Sequence, residues 1–268
     1  MDPLESQFAA TLAGFPRPER YAFTPDEYLE HIRRVKAAVD VPVVASLNGM
    51  TPHSWLKFAT EIEAAGADAL ELNMYKLATN LEQSSLAIEE RIRGVLVDLK
   101  RVVKLPIAIK LLPFFTAFGH LALQLDAAGA DGLILFNRFY EADIDVGALT
   151  SRARIDLSDA GELPLRLRWT AILHGRVHGS LAVTGGVATP TDGVKAILAG
   201  ATAVQIVSAV LRHGATYLGS MRDGLARWLD ANGLTLDEAR GRVDSAHGTD
   251  LAERASYIRS LHSWSVRP

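Results

Sequence analysis

The chain has 268 residues, 49% of them hydrophobic, and a formal net charge of −3. This length and apolar content can bury one large core, so we expect a single α/β domain over residues 1–268. The charge provides no basic surface for nucleic acid, no apolar run reaches the roughly 18 residues of a membrane span, and the first residues lack a secretory pattern. The absence of cysteine excludes disulfides and thiolate metal sites and fits a cytoplasmic protein.

Short β-branched runs alternate with amphipathic segments along most of the chain. This alternation predicts a parallel sheet with helices packed outside it. The predicted strands are Val41–Leu47, Ala69–Asn73, Ile107–Leu111, Gly132–Phe136, Ser180–Thr184 and Ala203–Val207. The predicted helices are Pro25–Val39, Ser54–Ala65, Ile88–Val103, Ala117–Ala128, Trp169–His174 and Thr191–Leu198, followed by a helical tail from Gly214 to Pro268.

One turn recurs three times, as Ala65-Gly-Ala-Asp68, Ala128-Gly-Ala-Asp131 and Ala199-Gly-Ala-Thr202. Each copy places a glycine just past a helix end, where a positive φ is needed. Near-equivalent units of this kind predict a (β/α)8 TIM-barrel type of fold, which requires eight strands. Only six are found, and we expect the first two to be missing at the N-terminus. The chain is then either shortened relative to its relatives or completed by another chain, as in a homodimer.

Polar residues follow the predicted strands. Active sites of parallel barrels lie at the carboxyl ends of the strands, so these residues are expected to share one rim. Taken singly, each is explained as a turn former or a lysine that extends to solvent. Together they predict a polar site, because burying several amides and an ammonium costs free energy unless partners exist. The set is Ser46, Asn48, Asn73, Lys110, Asn137, Arg138, Thr184 and Ser208.

The segment from Leu181 to Ser208 reads as a strand, a Gly185-Gly186 turn, a capped helix and a second strand. Because glycine lacks a Cβ, the backbone N–H groups of this turn can closely approach an anion. We therefore predict a phosphate site at this turn, with Ser208 on the same rim; a plain left-handed turn is the alternative. No metal site is predicted, since the histidines lack the spacing of metal ligands.

Six segments each contain part or all of one predicted strand: Val43–Gly49, Ala65–Asn73, Leu105–Lys110, Asp131–Arg138, Thr184–Val187 and Ala199–Ser208. Taken in order, these segments resemble successive strand motifs of dihydroorotate dehydrogenases. Together with Leu163–Trp169 and Arg254–Ile258 they resemble the bacterial dihydroorotate dehydrogenase-like branch, from about Pro42 to Trp264. The resemblance implies an FMN-dependent oxidoreductase that oxidises the CH–CH group of a small dihydropyrimidine such as dihydroorotate, a reaction of pyrimidine biosynthesis.

The resemblance also implies roles for individual residues. Lys110 would lie beside the pyrimidine edge of the flavin, where a cation stabilises negative charge on the reduced ring. Asn73 would lie near both flavin and substrate, Asn137 would hydrogen-bond the substrate, and these two with Lys110 form the implied catalytic set. The implied FMN-binding set is Lys110, Asn73, Phe136, Gly185, Gly186, Val207 and Ser208, in which the glycines, Val207 and Ser208 hold the phosphate and Phe136 contributes its backbone.

The chain departs from the family pattern at the residue that removes a proton. The family has Cys or Ser three residues after the Asn73 equivalent, where this chain has Lys76, and the asparagine that follows is replaced by Ala78. Tyr75 or Lys76 could act as a base only with a lowered pKa, and Ser84 or Ser85 only through loop movement. The alternative is therefore a diverged barrel that binds a phosphate-bearing ligand or a partner without oxidising it.

Overall fold

The computed structural model describes residues 24–48, 52–139, 141–154, 156–243 and 250–262. Residues 1–23, where the missing strands are expected, Gly49 and the end of the predicted helical tail lie outside these ranges. Six parallel strands form one sheet in the order β1-β2-β3-β4-β7-β8, and β5 and β6 form an antiparallel ribbon. The strands are β1 Val44–Leu47, β2 Ala69–Asn73, β3 Ile107–Leu111, β4 Gly132–Leu135, β5 Glu141–Asp145, β6 Thr150–Arg154, β7 Ser180–Thr184 and β8 Ala203–Gln205.

Helices connect successive strands of the sheet, which makes the molecule a partial TIM barrel. In the described ranges no helix combines the length and apolar character needed to cross a membrane. The helices are α1 Pro25–Ala38, α2 Pro52–Ala64, α3 Ser85–Val102, α4 Phe118–Ala127, α5 Leu163–Leu173, α6 Pro190–Leu198, α7 Ser208–His213, α8 Tyr217–Asn232, α9 Leu236–Ala239 and α10 Asp250–His262, and a 3-10 turn covers Ala160–Glu162.

The recurring turn performs the same structural task in its first two copies. The Asp68 carboxylate accepts hydrogen bonds from the Val43 backbone N–H and from Lys36 at the end of α1. The Asp131 carboxylate accepts from the Ile107 N–H and from Lys100 on α3 in the same way. Each aspartate thus joins the start of the preceding strand to the helix before it, which explains why the unit repeats.

The sheet is curled so that its first and last strands approach each other across the interior. The Gln205 amide on β8 hydrogen-bonds both Glu71 on β2 and Lys110 on β3. At the first edge, Tyr28 of α1 donates its hydroxyl hydrogen to Ser46 O and accepts from the Ser46 N–H. This contact satisfies backbone groups of β1 that an unpaired edge strand would leave exposed.

The main core lies between the sheet and the helices α1 to α5. Strand β4, at the centre of the sheet, is buried along its whole length, as expected for a parallel strand covered on both faces, whereas its neighbour β3 alternates buried with half-buried residues. Aromatic side chains extend the core toward the carboxyl ends of the strands. There the Phe118 ring lies edge to face with Phe136 and with Trp169, with 4.9 Å between ring centroids in each pair. The largest fully buried side chains are Phe118, Phe136, Ile62, Leu70, Leu72, Leu96, Leu99, Ile107, Ile109, Leu111, Leu121 and Leu125.

Several predicted boundaries were wrong, three of them for identifiable reasons. The first strand begins at Val44 because Pro42 has no N–H and the Val43 N–H bonds the Asp68 side chain. The last strand ends at Gln205, and Val207 adopts a helical backbone conformation that starts α7. Helix α5 begins six residues before the predicted Trp169, since a proline is compatible with the first turn of a helix.

The ribbon β5–β6 was not predicted. Its strands alternate charged or polar residues with few apolar ones, so they lack the hydrophobic pattern by which buried strands are recognised. The register pairs Glu141 with Arg154 and Asp143 with Arg152. The ribbon follows directly after the Asn137 and Arg138 segment and therefore extends from the rim on which the predicted site lies.

Candidate functional site

A polar cluster occupies the interior of the curled sheet. Glu71, which is 5% exposed, accepts hydrogen bonds at Oε1 from Ser46 Oγ (2.9 Å) and Lys110 Nζ (3.3 Å) and at Oε2 from Gln205 Nε2 (2.7 Å). Lys110 Nζ also donates to Gln205 Oε1 at 3.2 Å. The predicted site residue Lys110 is therefore ion-paired, because an ammonium this far inside the sheet requires a counter-charge.

Asn73 and Asn137 meet at the carboxyl ends of their strands, as the sequence predicts for site residues. Asn137 Nδ2 donates to Asn73 Oδ1. Asn73 is the register partner of Lys110 on the neighbouring strand, and the Asn137 backbone N–H bonds Leu111 O. Two amides and an ammonium thus lie side by side at the ends of β2, β3 and β4.

The Gly185-Gly186 turn has a left-handed backbone and leaves several backbone N–H groups unpaired in the described part of the chain. Both residues have positive φ, +85° and +77°. Within the described ranges, the backbone N–H groups of Gly185, Gly186 and Val187 have no hydrogen-bond acceptor. Directly after them, the N–H groups of Ala188 and Thr189 bond the Asp192 carboxylate, which fixes the loop to the first turn of α6.

A buried arginine that the sequence does not reveal lies against this turn. Arg166 on α5 is 5% exposed, and its Nη2 would be 2.8 Å from a Cβ at Gly185. Its guanidinium donates to Thr184 O and to both the backbone and the carboxylate of Glu162. Burial lowers the pKa of Arg166, and the Glu162 charge opposes that change. Arg138 reaches the other Glu162 oxygen at 3.3 Å, so two arginines share one carboxylate.

Ser208 and Val207 lie beyond the end of β8, at the beginning of α7. Ser208 Oγ accepts hydrogen bonds from the backbone N–H and the hydroxyl of Ser158, each at 3.0 Å. A serine oxygen that accepts two bonds can still donate its own hydrogen. Arg212 holds the same loop through the carbonyl oxygen of Ser158. Val207 is 61% exposed at this end of the sheet.

Phe136 contributes to the site through its backbone and to the core through its ring. The side chain is fully buried, and the N–H donates to Thr184 O at 3.2 Å. The carbonyl oxygen is therefore the Phe136 backbone group available to a ligand. At the rim nearby, the Phe139 ring stacks on Tyr75 with 5.9 Å between centroids and meets Phe114 edge to face at 5.2 Å.

Lys76 lies in the loop that follows β2. The residue is exposed overall, yet partial desolvation, with a smaller contribution from the Arg91 charge, lowers the pKa of its ammonium. Ala78 lies in the same irregular loop, while Ser84 caps α3 by accepting from the Ala87 N–H and is thereby fixed at that helix end. Within the described residues no cluster of three or more His, Cys, Asp or Glu is arranged to hold a metal ion.

The structure brings the predicted residues together in two groups. Asn73, Lys110 and Asn137 form one group. The glycine turn and Ser208 form the other: a Cβ at Gly186 would be 3.0 Å from Asp159 O, and the adjacent Ser158 bonds Ser208. Sequence reasoning missed Glu71, Gln205, Arg166 and Ser158. For Glu71 a signal existed, since Glu71 and Asn73 occupy alternate positions of one strand and hence the same face of the sheet.

Comparison with known proteins identifies one matching family and several proteins of similar sequence. A family model described as dihydroorotate dehydrogenase matches residues 23–229. The dihydroorotate dehydrogenase B (NAD(+)) catalytic subunit of Pyrococcus abyssi is 30% identical over 228 residues, which are 83% of this chain and 73% of that protein. The NAD-dependent dihydropyrimidine dehydrogenase subunit PreA of Escherichia coli K12 is 27% identical over 255 residues, 87% of this chain and 61% of that protein.

Proposed function

The chain belongs to the dihydroorotate dehydrogenase family, and from this premise we propose that it is an FMN-dependent dehydrogenase that oxidises the CH–CH group of a small dihydropyrimidine ring. Dihydroorotate is the first substrate to test, because the Pyrococcus abyssi relative bears that name. A dihydropyrimidine without a carboxylate is the second, because the Escherichia coli relative is named for that class.

The observation that carries the proposal is the grouping of Asn73, Lys110 and Asn137 at the ends of three adjacent strands. The two amides offer both donors and acceptors, which match the alternating N–H and C=O edge of a pyrimidine ring. The Lys110 ammonium supplies positive charge at the same place. Such a set can orient a planar ring and favour negative charge that develops on a neighbouring group.

The second group of residues fits a phosphate. The unused N–H groups of Gly185, Gly186 and Val187 offer donors along one turn, and the Ser208 hydroxyl can add another. The buried Arg166 guanidinium adds positive charge against Gly185. We assign this group to the phosphate of FMN and the first group to its ring and to the substrate.

When bound, the flavin would supply the acceptor for a hydride from the substrate. Asn73 and Asn137 would orient the substrate ring, and the Lys110 ammonium would stabilise the negative charge that the reduced cofactor gains. A proton must also leave the substrate, and the family position for that step is occupied by Lys76. Its lowered pKa enlarges the neutral fraction of the amine, which is the form that can accept a proton.

Titration of the purified protein with FMN tests the cofactor assignment. We expect the flavin fluorescence to change on binding and the melting temperature to rise with FMN concentration. Dye reduction is then measured with dihydroorotate and with dihydrouracil. Absence of FMN binding would contradict the proposal. Binding of FMN without oxidation of either substrate would favour the diverged, non-oxidising barrel, which the replacement of the family base by Lys76 also favours.

A further inference from the structure

The Glu71 carboxylate is held by donors from three strands. Ser46 on β1, Lys110 on β3 and Gln205 on β8 all donate to it at 2.7 to 3.3 Å. Its side chain is 6% exposed, and that of Lys110 is 16% exposed. A buried carboxylate with this many donors cannot rotate without breaking several bonds, so its position is fixed by the sheet itself.

The Gln205 amide fixes the ammonium from the opposite side of the interior. Its nitrogen faces the Glu71 carboxylate and its oxygen faces Lys110, which is the orientation that satisfies both charges. Lys110 Nζ thus donates two of its three hydrogens to Glu71 and Gln205. One N–H remains for a ligand at the rim.

We propose that Glu71 is a positioning residue: with Gln205 it fixes the Lys110 ammonium at the end of β3 and supplies the counter-charge that limits how strongly Lys110 favours a negatively charged reduced flavin. The inference rests on the proposed function for its second half only. The first half, the positioning of Lys110, concerns the protein without any ligand.

Amine labelling of the ligand-free protein tests the first half. Lys110 is acetylated in the folded state, and the rate is read by peptide mass spectrometry for the wild type, Glu71→Gln and Gln205→Met. Loss of a hydrogen bond to a charged group should raise the rate by about tenfold in Glu71→Gln and by less in Gln205→Met. The matched control is Glu89→Gln, which alters another buried carboxylate, on α3, and should leave the Lys110 rate unchanged. If Glu71→Gln fails to fold, the acetylation rate of Lys110 in Gln205→Met tests the positioning role by itself.

Potentiometry of the FMN-loaded protein tests the second half. Glu71→Gln removes a negative charge and should raise the flavin midpoint potential, whereas Lys110→Met should lower it. A tenfold change in the ratio of reduced to oxidised flavin corresponds to about 30 mV for two electrons, and we expect shifts of at least that size. The double variant should return close to the wild-type value, because a paired charge is then removed as a unit.

Unchanged labelling of Lys110 in both Glu71→Gln and Gln205→Met would overturn the positioning role. Equal potentials for Glu71→Gln and the wild type would overturn the counter-charge role. If the wild type binds no FMN, the proposed function fails instead, and the labelling rates still decide whether Glu71 positions Lys110.

Discussion

Glycines at two turns of this molecule show how much a single missing Cβ can matter. Gly66 has a φ of +90°, and a Cβ placed there would meet no atom within 4 Å. Gly186 has a φ of +77°, but a Cβ there would be 2.6 Å from the Leu163 backbone nitrogen and 3.0 Å from Asp159 O. Gly66 is therefore required by backbone conformation alone, and Gly186 also by the close approach of α5.

We predict that Gly186→Ala destabilises the protein more than Gly66→Ala. The positive φ should cost about 1–2 kcal/mol in both variants. In Gly186→Ala the displacement of the α5 backbone should add about 1–3 kcal/mol, the usual cost of overpacking. Urea unfolding of both variants measures the difference. Equal losses would show that the first turn of α5 does not press against the glycine turn.

Substitution of Gly186 thus affects more than ligand binding. A loss of FMN affinity in such a variant has to be separated from a displaced α5, and with it a displaced Arg166. The donors that the turn offers are backbone groups, and their position depends on the helix that packs behind them.

At the scale of elements, the first turn of α6 determines the conformation of the loop before it. Thr189 caps the helix, and the buried Asp192 carboxylate accepts hydrogen bonds from Thr189 N, Thr189 Oγ1 and Ala188 N at 2.8 to 3.2 Å. Burial by itself would raise the pKa of Asp192. The hydrogen bonds from Thr189 and Ala188, with the Lys195 charge, outweigh that effect, and the pKa is lowered.

We predict that Asp192→Asn reduces the free energy of unfolding by about 1–2 kcal/mol at pH 7, the range typical of a lost cap or a bond to a charged group. Because the folded-state pKa is lowered, the contribution of the carboxylate is complete above about pH 4 and disappears as the pH falls through the folded value. The two proteins should therefore converge in acid. Urea unfolding between pH 6 and pH 3 measures this, and a difference independent of pH would contradict the role of the charge.

The strands show which parts of the fold could be predicted from the sequence. The central strands Ala69–Asn73, Ile107–Leu111 and Ser180–Thr184 were predicted with their observed bounds, because short apolar runs bounded by turns specify buried strands. The start of β1 was predicted wrongly because the Val43 N–H bonds the Asp68 side chain instead of a neighbouring strand. The ribbon β5–β6 was missed because it has no apolar face. The proximity of Asn73 and Lys110 could be predicted because the carboxyl ends of parallel strands converge, whereas Gln205 reaches Glu71 only through the curl of the sheet.

At the scale of the whole molecule, one polar cluster connects structure with the proposed chemistry. Gln205 on one edge strand and Ser46 on the other both bond Glu71, so the contact that draws the curled sheet together also fixes Lys110. The interior of the partial barrel is thus polar near its rim and apolar below. A ring placed at that rim would meet the amides of Asn73 and Asn137 directly above the buried charges.

In the proposed reaction, we expect the residue that removes the proton to limit the rate. Partial desolvation, with a smaller contribution from the Arg91 charge, lowers the pKa of Lys76, but only the neutral form of the amine can accept a proton. A positioned base typically contributes about 10²–10⁴ in rate. We therefore predict very slow oxidation of dihydroorotate by the FMN-loaded protein at pH 7, and a rate that increases with pH as the amine loses its proton.

A thiol at the same position offers a better proton acceptor, because its ordinary pKa near 8.5 lies closer to neutral pH. We predict that Lys76→Cys oxidises dihydroorotate at least about tenfold faster than the wild type at pH 7, within the range that a positioned base contributes. Dye reduction with added FMN measures both rates, and Lys104→Cys, an exposed lysine at the opposite end of the sheet, is the matched control. Rapid turnover by the wild type, or equal rates for the two cysteine variants, would show that the proton leaves by another route and would direct attention to Tyr75, which stacks on Phe139 at the same rim.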